Sequence, residues 1–224
     1  MQIALVAATR FEIEPFLSTF QIKAATMRNP SVIFEKHIVD IIITGIGMVA
    51  TSYHLGKTFS KMNYDLAINA GIAGSFRHDI PLGSLVNVMH ETFSEIGAET
   101  EDDFLLPEQI GFKEFNNFPF TKGNLINQTE INSPLIQSLP KVKGITANTI
   151  HGNPQHIAQI HQRFHPDVET MEGAAFMYAC MLENIPFFQL RSISNYVEAR
   201  NKANWEVEKA IQSLNHFLIS FFNE

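Results

Sequence analysis

Three polar side chains near the end of the sequence have the types and spacing of a ligand site. Glu172 stands directly before the apolar run Gly-Ala-Ala-Phe-Met, so its carboxylate lies at a helix N-terminus beside small residues that allow close approach. Arg191 and Asn195 follow an apolar run at residues 185–190 that predicts a buried strand. Ligands of α/β proteins bind beyond the carboxyl ends of such strands. A carboxylate suits sugar hydroxyls and an amide suits a heterocycle, so the set indicates a site for a nucleoside.

Acidic and glycine residues follow the other strand-like runs. Glu12 and Glu14 lie just past the first run, and the residues alone leave open which carboxylate belongs to a site. The segments Thr44-Gly-Ile-Gly47 and Gly71-Ile-Ala-Gly74 would let backbone N–H groups approach a ligand closely. Glycine-rich turns between strands and helices are also common packing devices, so each segment alone is a weak signal.

The elements that must position these residues alternate along the chain. Strand-like runs occur at residues 3–8, 38–44, 66–69, 85–89 and 187–193. Helical patterns lie between them, which predicts a three-layer α/β/α fold with a central sheet. Apolar residues recur on one helix face from Val207 to Phe222, so we expect a C-terminal helix to pack on this sheet.

The composition indicates a single domain with a small-molecule ligand. The chain has 224 residues, 45% of them hydrophobic, which suits one domain over residues 1–224. A formal charge of −7, without clustered lysine and arginine, argues against a nucleic-acid surface. The first residues lack a basic leader and no run is long enough to cross a membrane, so a cytoplasmic protein without membrane contact is expected.

The sequence gives no sign of a metal or dinucleotide site. The nine histidines have no ligand spacing with acids or cysteine, and no Gly-x-Gly-x-x-Gly segment is present. The single cysteine, Cys180, lies among apolar helical residues. We therefore expect it to be a packing residue rather than a nucleophile.

The segment from residue 94 to residue 122 combines acids, prolines and phenylalanines, and we interpret it as a long loop. It either serves function or an interface, or it is a surface insertion that folds back on the core. The sequence leaves both possibilities open. Its phenylalanines are Phe104, Phe112, Phe115, Phe118 and Phe120.

The ordered strand ends resemble those of the nucleoside phosphorylase and nucleosidase superfamily over nearly the whole chain. Its methylthioadenosine/S-adenosylhomocysteine nucleosidases carry an acidic cluster after strand one, Gly-Ile-Gly, Asn-x-Gly-x-Ala-Gly, Met-Glu and Arg-x-Ile-Ser-Asp. The counterparts here are Glu12, Gly45-Ile-Gly47, the segment from Asn69 to Gly74, Met171-Glu172 and Arg191-Ser-Ile-Ser-Asn195. The ending from Ser192 to Trp205, with Asn195 in place of aspartate, is most similar to the futalosine hydrolases of menaquinone biosynthesis.

The resemblance implies a nucleoside-phosphorylase-like fold with a mixed sheet and an N-glycosidic hydrolase without cofactor or metal that forms a homo-oligomer, either a dimer or a dimer of dimers. In it, Glu12 would be the base that activates water, Glu172 would hold the ribose, and Arg191 would position water and carboxylates. The residues alone also allow helix capping by Glu172 and a buried ion pair for Arg191. Further substrate contacts fall on Gly47, Gly71, Ile72, Ala73, Gly74, Thr149, Ile150, Met171 and Ser194.

Asn195 departs from the adenine-cleaving relatives, which carry an aspartic acid that donates to N7 and accepts from the 6-amino group. An amide instead offers an NH₂ donor that suits a 6-keto oxygen, which predicts hypoxanthine as the leaving base. The change also removes the acid that would protonate this base. A simpler alternative is that Asn195 caps the turn before Tyr196.

Thr149 is the second departure, because adenine-cleaving relatives place there a phenylalanine that packs on the base. The purine must therefore be sandwiched by other groups, and the Phe-rich segment and Ile150 are the candidates. His151 is either a substrate contact or a structural hydrogen-bonding residue.

Sparse arginines favour water over phosphate as the nucleophile, since phosphorylases of the superfamily hold phosphate with several arginines. Arg28 and Arg77 keep a phosphate site open. Arg200 and Trp205, with Arg77 as a lesser candidate, would suit the benzoate-bearing tail of futalosine, or they are simply solvated and packed. The alternative functions are an adenosine-type nucleosidase, a purine nucleoside phosphorylase and a nucleoside-binding protein without catalysis.

Overall fold

The strand-like runs form two sheets in a computed structural model that describes residues 1–22, 30–34 and 36–223. The larger sheet has ten strands and the smaller one pairs β6 with β7. The strands are β1 (Gln2–Ala7), β2 (Ser31–Phe34), β3 (His37–Ile43), β4 (Leu66–Ser75), β5 (Leu85–Phe93), β6 (Ala98–Glu99), β7 (Phe104–Leu105), β8 (Phe120–Thr121), β9 (Asn124–Ile126), β10 (Lys141–Thr146), β11 (Val168–Thr170) and β12 (Phe187–Tyr196).

Helices cover both faces of the large sheet, which confirms the predicted three-layer arrangement. They are α1 (Arg10–Thr19), α2 (Met48–Phe59), α3 (Pro134–Gln137), α4 (Pro154–Phe164), α5 (Gly173–Leu182) and α6 (Val207–Phe222). Successive strand residues point to opposite faces, and β1 shows the result. Ile3 and Leu5 pack in the core with α1 and α6. Ala4 and Val6 pack in the core with α2 and α5.

The strands that carry the predicted site close into a ring. Strand β12 pairs parallel with β4 and antiparallel with β5. Strand β5 pairs with β10, β10 pairs with β11, and β11 returns antiparallel to β4. Each of these strands therefore has a neighbour on both sides, and the mixture of parallel and antiparallel pairs confirms the mixed sheet.

Two sequence predictions about this ring are wrong in their boundaries. The glycine segment 71–74 is the second half of β4 rather than a turn, because β12 supplies hydrogen-bond partners along it. Asn195 lies within β12, which continues to Tyr196 instead of ending at Ile193. The register shifts between Ile193 and Asn195, so the strand has a bulge at Ser194.

The Phe-rich segment is not a structureless loop, since it contains β6, β7, a 3₁₀ turn at Lys113–Asn116 and β8. The ring of Phe115 lies 4.6 Å from that of Phe120, which contacts Tyr178 of α5. These two phenylalanines therefore fold back on the domain. Phe112 and Phe118 are exposed.

Cys180 is buried in the core beside α2, and burial raises the pKa of its thiol well above the ordinary range, which confirms its packing role. No helix in the described ranges has the length and apolarity of a membrane span. Arg28 lies outside the described residues.

Candidate active site

A cavity of about 210 Å³ lies where β1, β4, β11 and β12 end. Most of the predicted site residues line it, although they come from distant parts of the sequence. Those that line it are Glu12, Ile72, Ala73, Gly74, Ile150, Met171, Glu172, Ser194 and Asn195. Those that do not are Gly47, Gly71, Thr149 and Arg191.

Glu12 lies in the first turn of α1, directly after β1. Its Oε2 accepts hydrogen bonds from the backbone N–H and the hydroxyl of Thr9, at 2.9 and 3.0 Å. Its Oε1 accepts one from the N–H of Ile72, at 3.2 Å. The carboxylate therefore caps its helix and also faces the cavity. Glu14 is instead half-exposed and pairs with Arg10 on the surface, so the structure places Glu12 at the cavity.

Glu172 occupies the N-cap position of α5, but its side chain does not cap that helix. Its Oε1 accepts a hydrogen bond from the N–H of Gly47, at 2.8 Å, across 125 residues of sequence. Burial raises the pKa of Glu172, and the negative charge of Glu12 adds to this. Glu172 thus joins the loop before α2 to the start of α5, and the capping alternative does not apply.

Two glycines permit these close approaches without touching the cavity. Gly47 has φ of 91°, a backbone conformation that other residues rarely adopt, and it aims its N–H at Glu172. At Gly71, an added Cβ would lie 2.8 Å from Oε1 of Glu12 and 3.3 Å from a guanidinium nitrogen of Arg191. Any side chain at Gly71 would displace one of these charged groups.

Arg191 lies behind the cavity rather than in it. It is 1% exposed and donates to the backbone oxygens of Asn69 and Leu190, at 3.2 and 3.1 Å, and to the side-chain oxygen of Asn69. None of the ion pairs in the described part of the chain includes it. Burial lowers its pKa, while the carboxylates of Glu172 and Glu12 oppose that change. It therefore supplies positive charge beneath the two carboxylates and does not touch a ligand directly.

The bulge in β12 turns Asn195 toward the cavity and fixes its amide. Its Oδ1 accepts a hydrogen bond from the hydroxyl of Ser194, at 2.8 Å, and its Nδ2 donates to the carbonyl of Tyr196, at 3.1 Å. Gly74 makes room for it, since a Cβ there would lie 3.2 Å from Nδ2. The bond to Tyr196 uses one N–H of the amide, and the second N–H remains available for a ligand.

A third carboxylate in the cavity, Glu169 of β11, has no role in the sequence prediction. It is buried, and its Oε1 accepts a hydrogen bond from the N–H of His151, at 3.0 Å. Its Oε2 contacts Nδ1 of His151, and this bond raises the pKa of the histidine. An acid within a short, otherwise uncharged strand beside Glu172 is the signal that would have identified it.

The apolar part of the cavity differs from the prediction. Thr149 is exposed, and within one protomer no phenylalanine of the 94–122 segment lines the cavity. Phe11, Ile46, Ile150 and Trp205 supply apolar surface instead. The guanidinium of Arg200 lies 5.5 Å from the Trp205 ring, in a cation–π contact at the mouth.

A fully buried carboxyl, Glu91 of β5, supports the start of α5. It accepts hydrogen bonds from Gln189, at 2.7 Å, and from the hydroxyl of Thr146, at 2.9 Å. That hydroxyl in turn accepts from the N–H of Ala174 in the first turn of α5, at 2.7 Å. Burial raises the pKa of Glu91 to about 7. The network fixes the helix that begins directly after Glu172.

Comparison with known proteins decides the family. Residues 2–222 match the sequence profile of the phosphorylase superfamily. This chain belongs to the phosphorylase superfamily. The fold matches the native structure of futalosine hydrolase from Helicobacter pylori with a TM-score of 0.74 and 16% sequence identity. The match covers 100% of this chain and 97% of the other.

Two proteins with assigned names are similar to this chain in sequence as well. The futalosine hydrolase of Streptomyces coelicolor is 31% identical over 67% of this chain, and the match spans 62% of that protein. The 5′-methylthioadenosine/S-adenosylhomocysteine nucleosidase of Maridesulfovibrio salexigens is 30% identical over 83% of this chain and 81% of its own length.

In this chain, the guanidinium of Arg77 is already paired with carboxylates. Arg77 bonds Asp79 and Asp167, and these hydrogen bonds raise the pKa of its guanidinium. To bind either phosphate or the tail of futalosine, Arg77 would therefore have to give up its hydrogen bonds to both Asp79 and Asp167. Within the described ranges, no three His, Cys, Asp or Glu side chains come together as a metal site.

Proposed function

We propose that this chain hydrolyses the N-glycosidic bond of futalosine in the cytoplasm and releases hypoxanthine and dehypoxanthine futalosine, a step of menaquinone biosynthesis. The observation that carries the proposal is the combination, in one cavity, of the carboxylates of Glu12 and Glu172 with the amide of Asn195. Similarity to the S. coelicolor futalosine hydrolase supports the same substrate.

Glu172 is the ribose-holding group in this proposal. Cleavage of a ribosyl C–N bond passes through a cationic, oxocarbenium-like sugar. Hydrogen bonds from the ribose hydroxyls to a carboxylate grow stronger as that positive charge develops, so they stabilise the transition state more than the substrate. The bond from Gly47 holds Oε1 in place and leaves Oε2 for the sugar.

Glu12 is the general base. Its carboxylate accepts hydrogen bonds from Thr9 and Ile72 on fixed backbone, which orients it toward the cavity before substrate arrives. A water between Glu12 and the anomeric carbon would lose its proton to this carboxylate as it attacks. Arg191 acts from behind by holding positive charge near both carboxylates.

Asn195 recognises the purine. Its free amide N–H would donate to the 6-keto oxygen of hypoxanthine, a group that adenine lacks. The bonds from Ser194 and to Tyr196 set the orientation of this amide, so the donor points in one direction only. The apolar rings and chains of Phe11, Ile150 and Trp205 would enclose the base and the start of the tail.

In this proposal, Trp205 and Arg200 bind the tail of futalosine that extends beyond the ribose. Trp205 lines the cavity and Arg200 lies over its ring, so an aryl carboxylate would meet an aromatic face and a guanidinium together. Arg77 is ranked below them because it already pairs with Asp79 and Asp167.

Release of free base from three nucleosides tests the proposal. The purified protein is incubated in phosphate-free buffer with futalosine, inosine or methylthioadenosine, and the bases are separated by chromatography. We expect hypoxanthine from futalosine. Adenine from methylthioadenosine would favour the adenosine-type nucleosidase instead, and activity only with phosphate would favour the phosphorylase. Binding without turnover would indicate the inactive nucleoside-binding protein.

A Glu12→Gln variant tests the mechanism. We expect its kcat to fall by about 10²–10⁴-fold with nearly unchanged substrate affinity, because the amide retains the shape but cannot accept a proton. Glu14→Gln is the matched control, since this half-exposed neighbour bonds Arg10 and Ser18 on the surface and should leave turnover unchanged. Unchanged turnover in Glu12→Gln would overturn the role of this carboxylate.

A further inference from the structure

The leaving purine needs a proton, and Asn195 has none to give, because an amide is not an acid near neutral pH. The titratable side chains that line the cavity in the described part of the chain are Glu12, Glu169 and Glu172. Glu12 must accept a proton from water, and Glu172 must stay ionised to hold the sugar. We propose that Glu169, charged with a proton by His151, is the acid that protonates the leaving purine. This inference rests on the proposed nucleosidase function.

The register of the ring places Glu169 at the base end of the cavity. Glu169 pairs with Gly74 of β4, and Gly74 pairs with Asn195 of β12. Neighbouring strands lie about 4.8 Å apart, so the backbones of Glu169 and Asn195 are separated by about 10 Å. Gly74 between them has no side chain. A flat ring that accepts a hydrogen bond from Asn195 therefore lies within reach of the Glu169 carboxylate.

The Glu169–His151 pair also connects the cavity to solvent. His151 borders a second, open cavity of about 740 Å³ between β6, β7 and α4, whereas Glu169 borders the nucleoside cavity. The two side chains thus span the wall between these spaces. A proton taken up by His151 in the open cavity can reach Glu169 without passing the bound nucleoside.

Charged groups around His151 favour its protonated form. Glu169 makes the largest contribution to its raised pKa, and Glu95 adds to it. The other titratable and charged groups that border the open cavity are Glu99, Glu101, Asp102, Asp103, His156 and Arg163. His151 therefore holds its proton to a higher pH than an ordinary histidine does.

The step balances as follows. The C1′–N9 bond breaks and its electron pair stays on the purine. A proton moves from Nδ1 of His151 to the Glu169 carboxylate and from there to a purine ring nitrogen. The oxygen of water bonds to C1′, and the proton of that water goes to Glu12. After release of products, His151 regains a proton from solvent and Glu12 loses one.

Two substrates that differ in their leaving group test this role. Glu169→Gln and His151→Gln are assayed with futalosine and with p-nitrophenyl riboside, whose nitrophenolate leaves without protonation. We expect kcat with the purine nucleoside to fall by about 10²–10³-fold and kcat with the nitrophenyl substrate to change by less than about threefold, as general acid catalysis requires. The alkaline fall in wild-type kcat with futalosine should be absent from both variants.

His156→Gln is the matched control, because this histidine borders the same open cavity without contacting Glu169. It should leave turnover and the pH profile unchanged. Equal losses with both substrates would show that Glu169 only holds the loop at His151, and would overturn the proposal. An increase in KM with unchanged kcat would overturn it too, since Glu169 would then only bind the base. If wild type releases no base from any nucleoside, the proposed function itself fails.

Discussion

In the proposed function, the side-chain amide of Asn195 selects the purine base. Its amide is held by Ser194 and Tyr196 at a bulge, so a change of chemistry there need not change the position of the side chain. Aspartate has nearly the same shape and offers a protonated oxygen as a donor and a second oxygen as an acceptor.

Asn195→Asp should therefore shift base preference toward adenine. We expect release of adenine from methylthioadenosine to rise and release of hypoxanthine from futalosine to fall, each by about 10-fold or more, because a mismatched buried polar contact costs about 1–3 kcal/mol. The ratio of kcat/KM for the two substrates measures the change. An unaltered ratio would mean that another residue selects the base.

The protonation of Glu91 makes the stability of the protein depend on pH. Its pKa in the folded protein is about 7, compared with an ordinary value of 4.5, so the folded state holds a proton that the unfolded state has lost between these values. Stability must then decrease as pH rises through this window, because the folded state binds more protons there.

Glu91→Gln removes this titration. The free energy of unfolding of wild type, relative to that of the variant, should fall by roughly 2–3 kcal/mol between pH 4.5 and pH 7.5. Urea denaturation across that pH range measures the difference. A constant difference between the two proteins would contradict a proton on Glu91.

Residue types were easier to predict than their orientation. The resemblance to the nucleosidases selected Glu12, Glu172 and Asn195, and all three line the cavity. It did not identify Glu169, because an acid in a strand is assigned to the solvent face unless ring closure is known. The resemblance gave Arg191 the role of positioning water and carboxylates, and in the structure the carbonyls of Asn69 and Leu190 hold this residue behind the cavity.

At the level of elements, the start of α5 depends on a residue without a side chain. A Cβ at Gly173 would lie 2.5 Å from Nε2 of Gln189 and 2.7 Å from the hydroxyl of Thr170, and would overlap the carboxyl of Glu91. These groups are buried and hydrogen-bonded, so none of them can move without losing a partner.

Gly173→Ala should destabilise the protein by about 1–3 kcal/mol through overpacking. Gly56→Ala is the matched comparison, because Gly56 is exposed on α2 of the single protomer and an added Cβ meets nothing within 4 Å there. That change should stabilise by roughly 0.5–1 kcal/mol, as glycine is unfavourable inside a helix. Equal effects of the two changes in urea denaturation would contradict the crowding at Gly173.

Elements with a clear apolar period in the sequence were predicted well. Strand segments that depend on pairing with a strand far away in the sequence were not. The apolar spacing of α6 gave its span from Val207 to Phe222. The second halves of β4 and β12 contain glycine, serine and asparagine, which locally favour turns. They are strands because each supplies the hydrogen-bond partners of the other, and a single sequence does not reveal that pairing.

For the whole molecule, apolar side chains lie exposed around the mouth of the cavity. Phe11 and Ile46 line the cavity and are exposed, and Val49 and Tyr53 continue this surface along α2. Val49 is 80% exposed. Such a contiguous apolar surface is costly in water, so it supports the homo-oligomer that we propose on the family resemblance, with a second copy covering this face.

Val49→Glu should convert the oligomer to a monomer in light scattering at micromolar concentration, because it places a charge in the apolar surface. Ile33→Glu is the control, since Ile33 is equally exposed but lies on β2 at the edge of the sheet. A monomeric wild-type protein would contradict the oligomer. If Ile33→Glu alone dissociates it, the interface lies at β2. Phe112 and Phe118 are exposed on the surface of the protomer. That the Phe-rich segment lies near the oligomer interface remains a prediction.

The closed ring has a consequence for synthesis on the ribosome. Strand β4 is complete at Ser75, but its neighbours β11 and β12 end only at Thr170 and Tyr196. Until those residues have emerged, the growing polypeptide has an unpaired apolar strand edge and no place for a nucleoside. Substrate or product can therefore stabilise only the last stage of folding, after Tyr196 has emerged.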